Sequence, residues 1–329
     1  MEVLTTQGPA LPADGDLGDL LAPLDARSFL RDRLGRRPFV IRGAARRFAP
    51  VFGWQDLNRI LETSRVDPAR MHLVDPAGRK TLAACAEAVP QLASRGPAAR
   101  FVPGRLHEAL RSGATLVVDG AEELHHPLRD VCATVERALR CPVQANLYAN
   151  LGGGPPGFST HWDDHDVLVL QVEGSKHWDI HRPTADHPVG VLSNPPVPEA
   201  GSDPYWSGEL TDGDLLSLPR GWWHNVSPVA GPSVHLTLGA RLPSAGDLLR
   251  RLMAHLATEH AVLRHDLPRF AEPVDSARWF DELRQTLVKA VETPGVLEEL
   301  AAVLDRGPSA RPAMALPDGP AADARPDAW

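Results

Sequence analysis

Hydrophobic and polar positions divide the chain into five stretches. Residues 1–25 show no period and are broken by Pro, Gly and Asp, so a flexible lead-in is expected. Residues 26–140 mix periods. Asp25 precedes ARSFLRDRLG as an N-cap and Gly35 closes that helix. RRPFVIRG alternates, with Phe39 and Ile41 on one face and Val40 on the other. WQDLNRILETS predicts a second helix, GATLVVDG (113–120) a buried strand, and PLRDVCATVERALR (127–140) an amphipathic helix. From 141 to 243 come short apolar runs bounded by turn residues: VQANLYANL, HDVLVLQVEG, KHWDIHRP, DLLSLPRG, WWHNVSPV and SVHLTLGARL. Short strands at regular spacing mean an all-β sandwich or barrel. Residues 244–306 return to a helical period in LLRRLMAHLATEHAVLRH, SARWFDELRQTLVKAVE and GVLEELAAVLDR. The tail, 307–329, is Ala, Pro and Asp without a period and is expected to be disordered.

Composition narrows the class. With 329 residues and 43% hydrophobic content the chain has ample material for a core. No apolar run reaches the roughly 20 residues of a membrane span. The acidic N-terminus matches neither a signal nor a transit peptide. A net charge of -8 and a pI near 5.9 argue against a nucleic-acid-binding body. The Arg31, Arg33, Arg36 and Arg37 cluster reads more simply as a solvated helix end than as a basic patch. The three cysteines, Cys85, Cys132 and Cys141, form no CxxC pair and suit a reducing cytoplasm.

The chemistry concentrates in STHWDDHD, residues 159–166. On a strand, His161 and Asp163 would share a face while Trp162 and Asp164 point away. LPRGWWHNV supplies His224 after a Pro-Arg-Gly turn. Two imidazoles and a carboxylate form a facial triad, which leaves three positions open on the ion and favours non-haem iron(II). HxD alone is weak, because a chain with 14 His produces it by chance.

The second half is more specific. Gly213, Pro219, Gly221 and His224 follow G-x5-P-x-G-x2-H, which resembles the second cupin motif. GATLVVDGAEEL, NLYANL, THWDDHDVLVLQVEGSKHW and GDLLSLPRGWWHNV together resemble the cupin-like JmjC oxygenases, within them the ribosomal-oxygenase branch, over roughly residues 30–245. The resemblance implies a double-stranded β-helix (cupin, jelly-roll) core, mainly β with flanking helices, with His161, Asp163 and His224 as iron ligands. It implies 2-oxoglutarate as co-substrate, with Lys176 taking its far carboxylate and Tyr148 and Asn146 lining that pocket. Two departures stand out. The loop between Tyr148 and His161 is one residue longer than the family pattern. Gly239 occupies the place of a family serine.

Other candidates have plainer readings. His165, His177 and His181 match no ligand spacing and read as outward polar positions. His235 reads equally as a residue beside the site or as a core histidine. Trp178, Trp222 and Trp223 can form a substrate platform, although core packing of at least two suits them better. The leading function is hydroxylation of a side chain in a protein or peptide, consuming dioxygen and releasing succinate and carbon dioxide. The same chemistry on a natural-product peptide or free amino acid is the alternative, because little ordered chain follows residue 306 for the winged-helix domain of ribosomal oxygenases. A non-enzymatic metal-binding cupin is the third reading. The helices at 244–306 are expected to mediate homodimerisation. The 183–213 loop, with Tyr205, Trp206, Asp203 and Glu209, is expected to receive a polypeptide.

Overall fold

A computed structural model describes residues 1–8, 10–12, 15–74, 82–89, 98–152, 158–190, 199–307 and 311. In chain order the first half contains β1 (Glu2–Thr5), α1 (Leu17–Leu21), α2 (Ala26–Asp32), β2 (Phe39–Arg42), α3 (Trp54–Thr63), β3 (Met71–Val74), β4 (Ala86–Val89), β5 (Ala98–Phe101), α4 (Pro103–Arg111), β6 (Thr115–Val118) and α5 (His126–Leu139). The second half contains β7 (Val143–Asn150), β8 (Asp166–Glu173), β9 (Ser175–His181), β10 (Trp206–Thr211), β11 (Leu215–Leu218), β12 (Trp223–Pro228), β13 (Ser233–Ala240), α6 (Ala245–Glu259), α7 (Pro273–Glu292) and α8 (Val296–Asp305).

The core is two facing sheets. The larger runs β1-β2-β11-β8-β13-β7-β6-β3 and the smaller runs β10-β9-β12. β8 shows why its sequence lacks alternation: both faces are covered. Val167 and Val169 point between the sheets with Val40, Trp178, Ile180 and Leu216, whereas Leu168, Leu170 and Val172 pack outward under the helical layer. β2 divides as its alternation predicts, with Phe39 and Ile41 in the outer core and Val40 in the barrel. β9 alternates cleanly, burying Lys176, Trp178 and Ile180 and turning His177, Asp179 and His181 outward. Asp25 caps α2 by accepting from Ser28 N at 2.9 Å.

Several expectations need correction. The described residues of 1–25 are not a loose lead-in. β1 pairs in parallel with β2, and α1 carries a capping box in which Asp16 and Asp19 each accept the other's backbone N–H. From the mixed α/β stretch 26–140, β2, β3 and β6 join the main sheet. The 183–213 stretch is not one loop. Trp206–Thr211 form β10, antiparallel to β9. Its aromatic pair is committed to packing: Tyr205 meets Trp222 edge-on at 5.0 Å and carries the Arg182 guanidinium over its face at 4.5 Å. Within that stretch residues 191–198 lie outside the described residues. So does the 307–329 tail apart from Gly307 and Arg311. Arg311 is held, donating to both carboxylate oxygens of Glu136 at 2.8 and 2.9 Å. Among the described residues no helix is long and apolar enough to cross a membrane.

Candidate metal centre and its pocket

His161 and Asp163 do not lie on a strand, as alternation required; they sit in the loop leading into β8. His161 reaches the barrel through a single antiparallel bridge with His224, where His224 N donates to His161 O at 2.7 Å and His161 N returns to His224 O at 3.1 Å. Gly221 N then donates to the Asp163 carbonyl at 3.0 Å, tying the loop to the turn before β12. That turn needs its glycine. Gly221 has a φ of +82°, and a Cβ there would lie 2.6 Å from Pro188 Cδ. Gly213 has a parallel role before β11, with a φ of +92° and the Ala44 carbonyl 2.0 Å from a Cβ position.

The structure brings the three candidate ligands together. One donor atom from each of His161, Asp163 and His224 lies within 4.8 Å of the others. Asp163 Oδ2 is 3.7 Å from His224 Nε2. Both imidazoles are oriented from behind. His161 Nδ1 hydrogen-bonds Ser159 O at 2.9 Å, and His224 Nδ1 hydrogen-bonds Trp222 O at 3.2 Å. Each Nδ1–H is thereby spent on a carbonyl, and each Nε2 lone pair is left for an ion. Burial, and then the neighbouring His161, push the His224 imidazole down to about 4, which keeps it in the neutral, ligating form. Two imidazoles and a carboxylate on one side suit a divalent first-row metal. Asp164 turns away and accepts from His165 Nδ1 at 3.1 Å.

Beyond the cluster is a chamber of about 690 Å³, open mouth included, walled by Val167, Val169, Val226 and Phe158. Lys176 is on its wall and only 2% exposed. Its Nζ donates to the Tyr148 carbonyl at 3.2 Å. Among the described residues no carboxylate meets it, and burial pushes the ammonium down to about 7. A buried cation with a neutral acceptor beside an open chamber suits an incoming anion. Lys176 is therefore no exposed turn residue. Tyr148 lines the chamber as expected, its hydroxyl pushed well up by burial and by the Asp163 and Asp119 charges. Asn146 does not line it. Its Oδ1 accepts from Gly120 N at 3.2 Å and from Gln144 Nε2 at 2.8 Å, and its side chain bonds that of Tyr148. Asn146 therefore positions Tyr148 from outside.

Other side chains find their places. His235 faces the chamber, stacked on Tyr148 at 4.7 Å. Trp178 and Trp222 are buried, while Trp223 Nε1 donates to Thr184 Oγ1 at 2.9 Å. Gly239 lies where β13 passes His165: a Cβ there would sit 2.7 Å from His165 Nε2, so the imidazole fills the volume a serine would need. Asn150, Thr115 and Thr237 also line the chamber and were not singled out from the sequence. The alternation of β7 and β13 carried the signal for Asn150 and Thr237, two residues from Tyr148 and His235 respectively.

Comparison with known proteins places these residues in a wider set. The JmjC domain family matches residues 123–248. A bifunctional lysine-specific demethylase and histidyl-hydroxylase NO66 from Drosophila pseudoobscura pseudoobscura is 29% identical over 84% of this chain and 29% of its own length. The Dictyostelium discoideum protein of the same name is 30% identical over 60% of this chain and 40% of itself. Ribosomal oxygenase 1 from Danio rerio is 26% identical over 71% of this chain and 42% of itself. The chain thus spans well under half the length of these relatives. Among solved structures, Escherichia coli YcfD, a ribosomal oxygenase in complex with cobalt and 2-oxoglutarate, superposes with a TM-score of 0.51 at 17% identity, covering 91% of this chain and 75% of that one. At that identity the match shows a shared fold.

Proposed function

From the JmjC domain that this chain carries, we infer that it is an Fe(II)- and 2-oxoglutarate-dependent dioxygenase that hydroxylates a side chain in a protein or peptide. One observation carries the reading: a His-Asp-His cluster opens onto the same chamber as a buried lysine that has no counter-ion among the described residues. Iron(II) with 2-oxoglutarate supplies the oxidising power, drawing on dioxygen and releasing succinate and carbon dioxide.

The chain's own groups do the rest. His161 and His224 present Nε2, held by carbonyls behind them, and Asp163 adds the negative charge that offsets the ion's. Lys176, protonated when an anion arrives, holds the far carboxylate and so fixes which way the keto acid lies. Tyr148 stays protonated and offers a hydroxyl rather than a second anion. Val167, Val169 and Val226 keep water from the reacting side of the chamber. The relatives' names, histidyl-hydroxylase and ribosomal oxygenase, support a protein side chain as substrate. The three cysteines, buried as free thiols, support a reducing cytoplasm, and the exposed apolar residues of α6 and α7 support a homodimer.

The test is intact-mass analysis of candidate proteins incubated with the chain, iron, ascorbate and 2-oxoglutarate. A 16 Da gain that requires the chain, iron and 2-oxoglutarate is expected. Absence of both substrate oxidation and uncoupled 2-oxoglutarate decarboxylation would leave a non-enzymatic cupin.

A further inference from the structure

The segment 163–167 separates two hollows. Asp163 and Val167 line the chamber, whereas Asp164, His165 and Asp166 line a second cleft of about 1210 Å³, open mouth included. Another wall of that cleft is built by Pro183, Ala185 and His187, and the stretch they belong to is fastened along its length. Trp223 Nε1 donates to Thr184 Oγ1 at 2.9 Å, and Pro188 seats against Gly221, where a Cβ would lie 2.6 Å from its Cδ. Asp164 accepts from the Gly190 backbone N–H. A cleft with held walls keeps its shape when a chain enters it.

Strand register places His165 where the two hollows meet. Across β13 and β8, Thr237 is opposite Val169 and Gly239 is opposite Val167. Thr237, Val169 and Val167 all line the chamber, so Gly239 lies on that face too, one step farther along β13 from His235. The place of its missing side chain is filled by His165: a Cβ on Gly239 would meet Nε2 at 2.7 Å and Cδ2 at 2.8 Å. His165 is therefore not the outward polar position that its spacing suggested. Its imidazole covers the chamber face of β13 at the junction with the cleft.

Asp164 decides what that ring offers. Its Oδ1 lies 3.1 Å from His165 Nδ1, and an ionised carboxylate can only accept, so Nδ1 carries the hydrogen. Nε2 keeps a lone pair, and among the described residues no donor meets it. The side chain is 31% exposed, which leaves that acceptor within reach of a chain in the cleft.

We propose that His165 is a specificity-determining contact for the polypeptide substrate, with Nε2 accepting from a side-chain N–H at or beside the target residue. The substrate backbone runs along the cleft while the target side chain enters the chamber. Amide, imidazole and guanidinium side chains can supply that hydrogen, whereas aliphatic and carboxylate side chains cannot. This rests on the protein-hydroxylase reading above.

The test uses the full chain loaded with Zn(II) and 2-oxoglutarate, which fills the chamber without turnover. Blocked tripeptides Gly-X-Gly, with X glutamine, histidine, arginine or norleucine, are titrated by calorimetry and by ¹⁵N NMR of the histidine side chains. At least one N–H-bearing peptide should bind and move the His165 Nε2 resonance, whereas the norleucine peptide should leave it in place. His165→Leu keeps an apolar side chain over Gly239 and removes the acceptor. It is expected to weaken the best-bound N–H peptide about two- to tenfold, the scale of one hydrogen bond, and to leave the norleucine peptide within about twofold. His165→Gln, whose amide oxygen reaches toward the same place, should recover part of the loss. A His165 resonance that no peptide moves, or that norleucine moves equally, would overturn the role of His165. Equal weakening of all peptides in His165→Leu would do the same. Failure of 2-oxoglutarate to bind the Zn(II)-loaded chain would instead bring down the oxygenase reading beneath it.

Discussion

Asp163 and Asp164 are neighbours with opposite fates: one meets His161 and His224, and the other pairs with His165. Asp163→Ala is expected to abolish turnover and to weaken metal binding more than about tenfold, because two imidazoles alone hold a divalent ion loosely. Asp164→Ala should stay within about threefold of the wild type in equilibrium dialysis against Fe(II) or Co(II). The reverse pattern would put the ligand one residue along. Lys176 makes a second prediction at this scale. Among the described residues the groups facing it are Tyr148 and His235, with no carboxylate, and burial brings it to about 7. An arriving carboxylate raises that value, so binding takes up a proton above pH 7 and none well below it. Affinity for 2-oxoglutarate should hold below pH 7 and fall by about tenfold per unit above it. Calorimetry in buffers of different ionisation enthalpy should find close to one proton taken up at pH 8. Lys176→Ala should lose that uptake and about ten- to hundredfold in affinity, with metal binding unchanged. A flat pH profile would remove Lys176 from the site.

At the scale of elements, β13 and the loop before β8 are coupled through Gly239. The lost family hydroxyl cannot simply be restored, because a Cβ there meets His165 Nε2 at 2.7 Å. Gly239→Ser should destabilise the fold by about 1 kcal/mol, the lower end for overfilling a packed site. His165→Ala should be mild alone and should rescue Gly239→Ser, a coupling that thermal melts of the four variants would expose. Simple additivity would mean that the two do not share the space. Barrel strands were the most readable elements. β9 alternates, and the turn glycines mark where β11 and β12 begin. Less readable were β1, β3, β4, β5 and β10, mostly four-residue strands, of which β1, β3 and β10 pair with strands well away in sequence. β10 hid in a stretch rich in Pro and Gly because its pairing with β9 creates it.

For the whole molecule, Arg311 ties the C-terminal stretch back to α5 and the head of β7. Arg311 binds Glu136 through both carboxylate oxygens, approaches Glu122 at 3.6 Å and donates to Val143 O at 2.6 Å, at the head of β7. Both carboxylates are largely buried, so Arg311→Ala leaves two anions without a cation. A loss of about 2–4 kcal/mol is expected in denaturant unfolding, with most of it recovered by also replacing Glu136 with Gln. An Arg311→Ala protein as stable as wild type would show the contact to be idle. The helical unit makes the other prediction. Leu252 and Leu256 of α6 close on Ala290 within that unit, yet Leu249, Phe270, Phe280 and Val291 remain exposed. Such a surface suits a second copy. Light scattering should give a dimer at micromolar concentration, and Leu249→Glu with Phe280→Glu a monomer. A monomeric wild type would end the dimer reading.

By itself the sequence settled what depends on neighbours along the chain. Strand alternation, turn glycines and capping are local, so the barrel runs, α2, α3, α5 and the three C-terminal helices could be read from it. His161, Asp163 and His224, whose donor atoms the fold brings within 4.8 Å, could be picked out as candidates from the sequence, whereas Lys176 and Tyr148 came from the family resemblance alone, and the fold sets both on the chamber wall. The reason given for His161 and Asp163 was nevertheless incomplete: strand alternation was invoked, whereas a single bridge to His224 and the Gly221–Asp163 bond bring them together. Tertiary structure alone decided that Asn146 supports Tyr148 from outside the chamber and that His235 faces Lys176. It alone closed the space at Gly239 and committed Tyr205 and Trp206 to the barrel. Each of these depends on which strand lies beside which, and such contacts between residues far apart in the chain leave no period in the sequence.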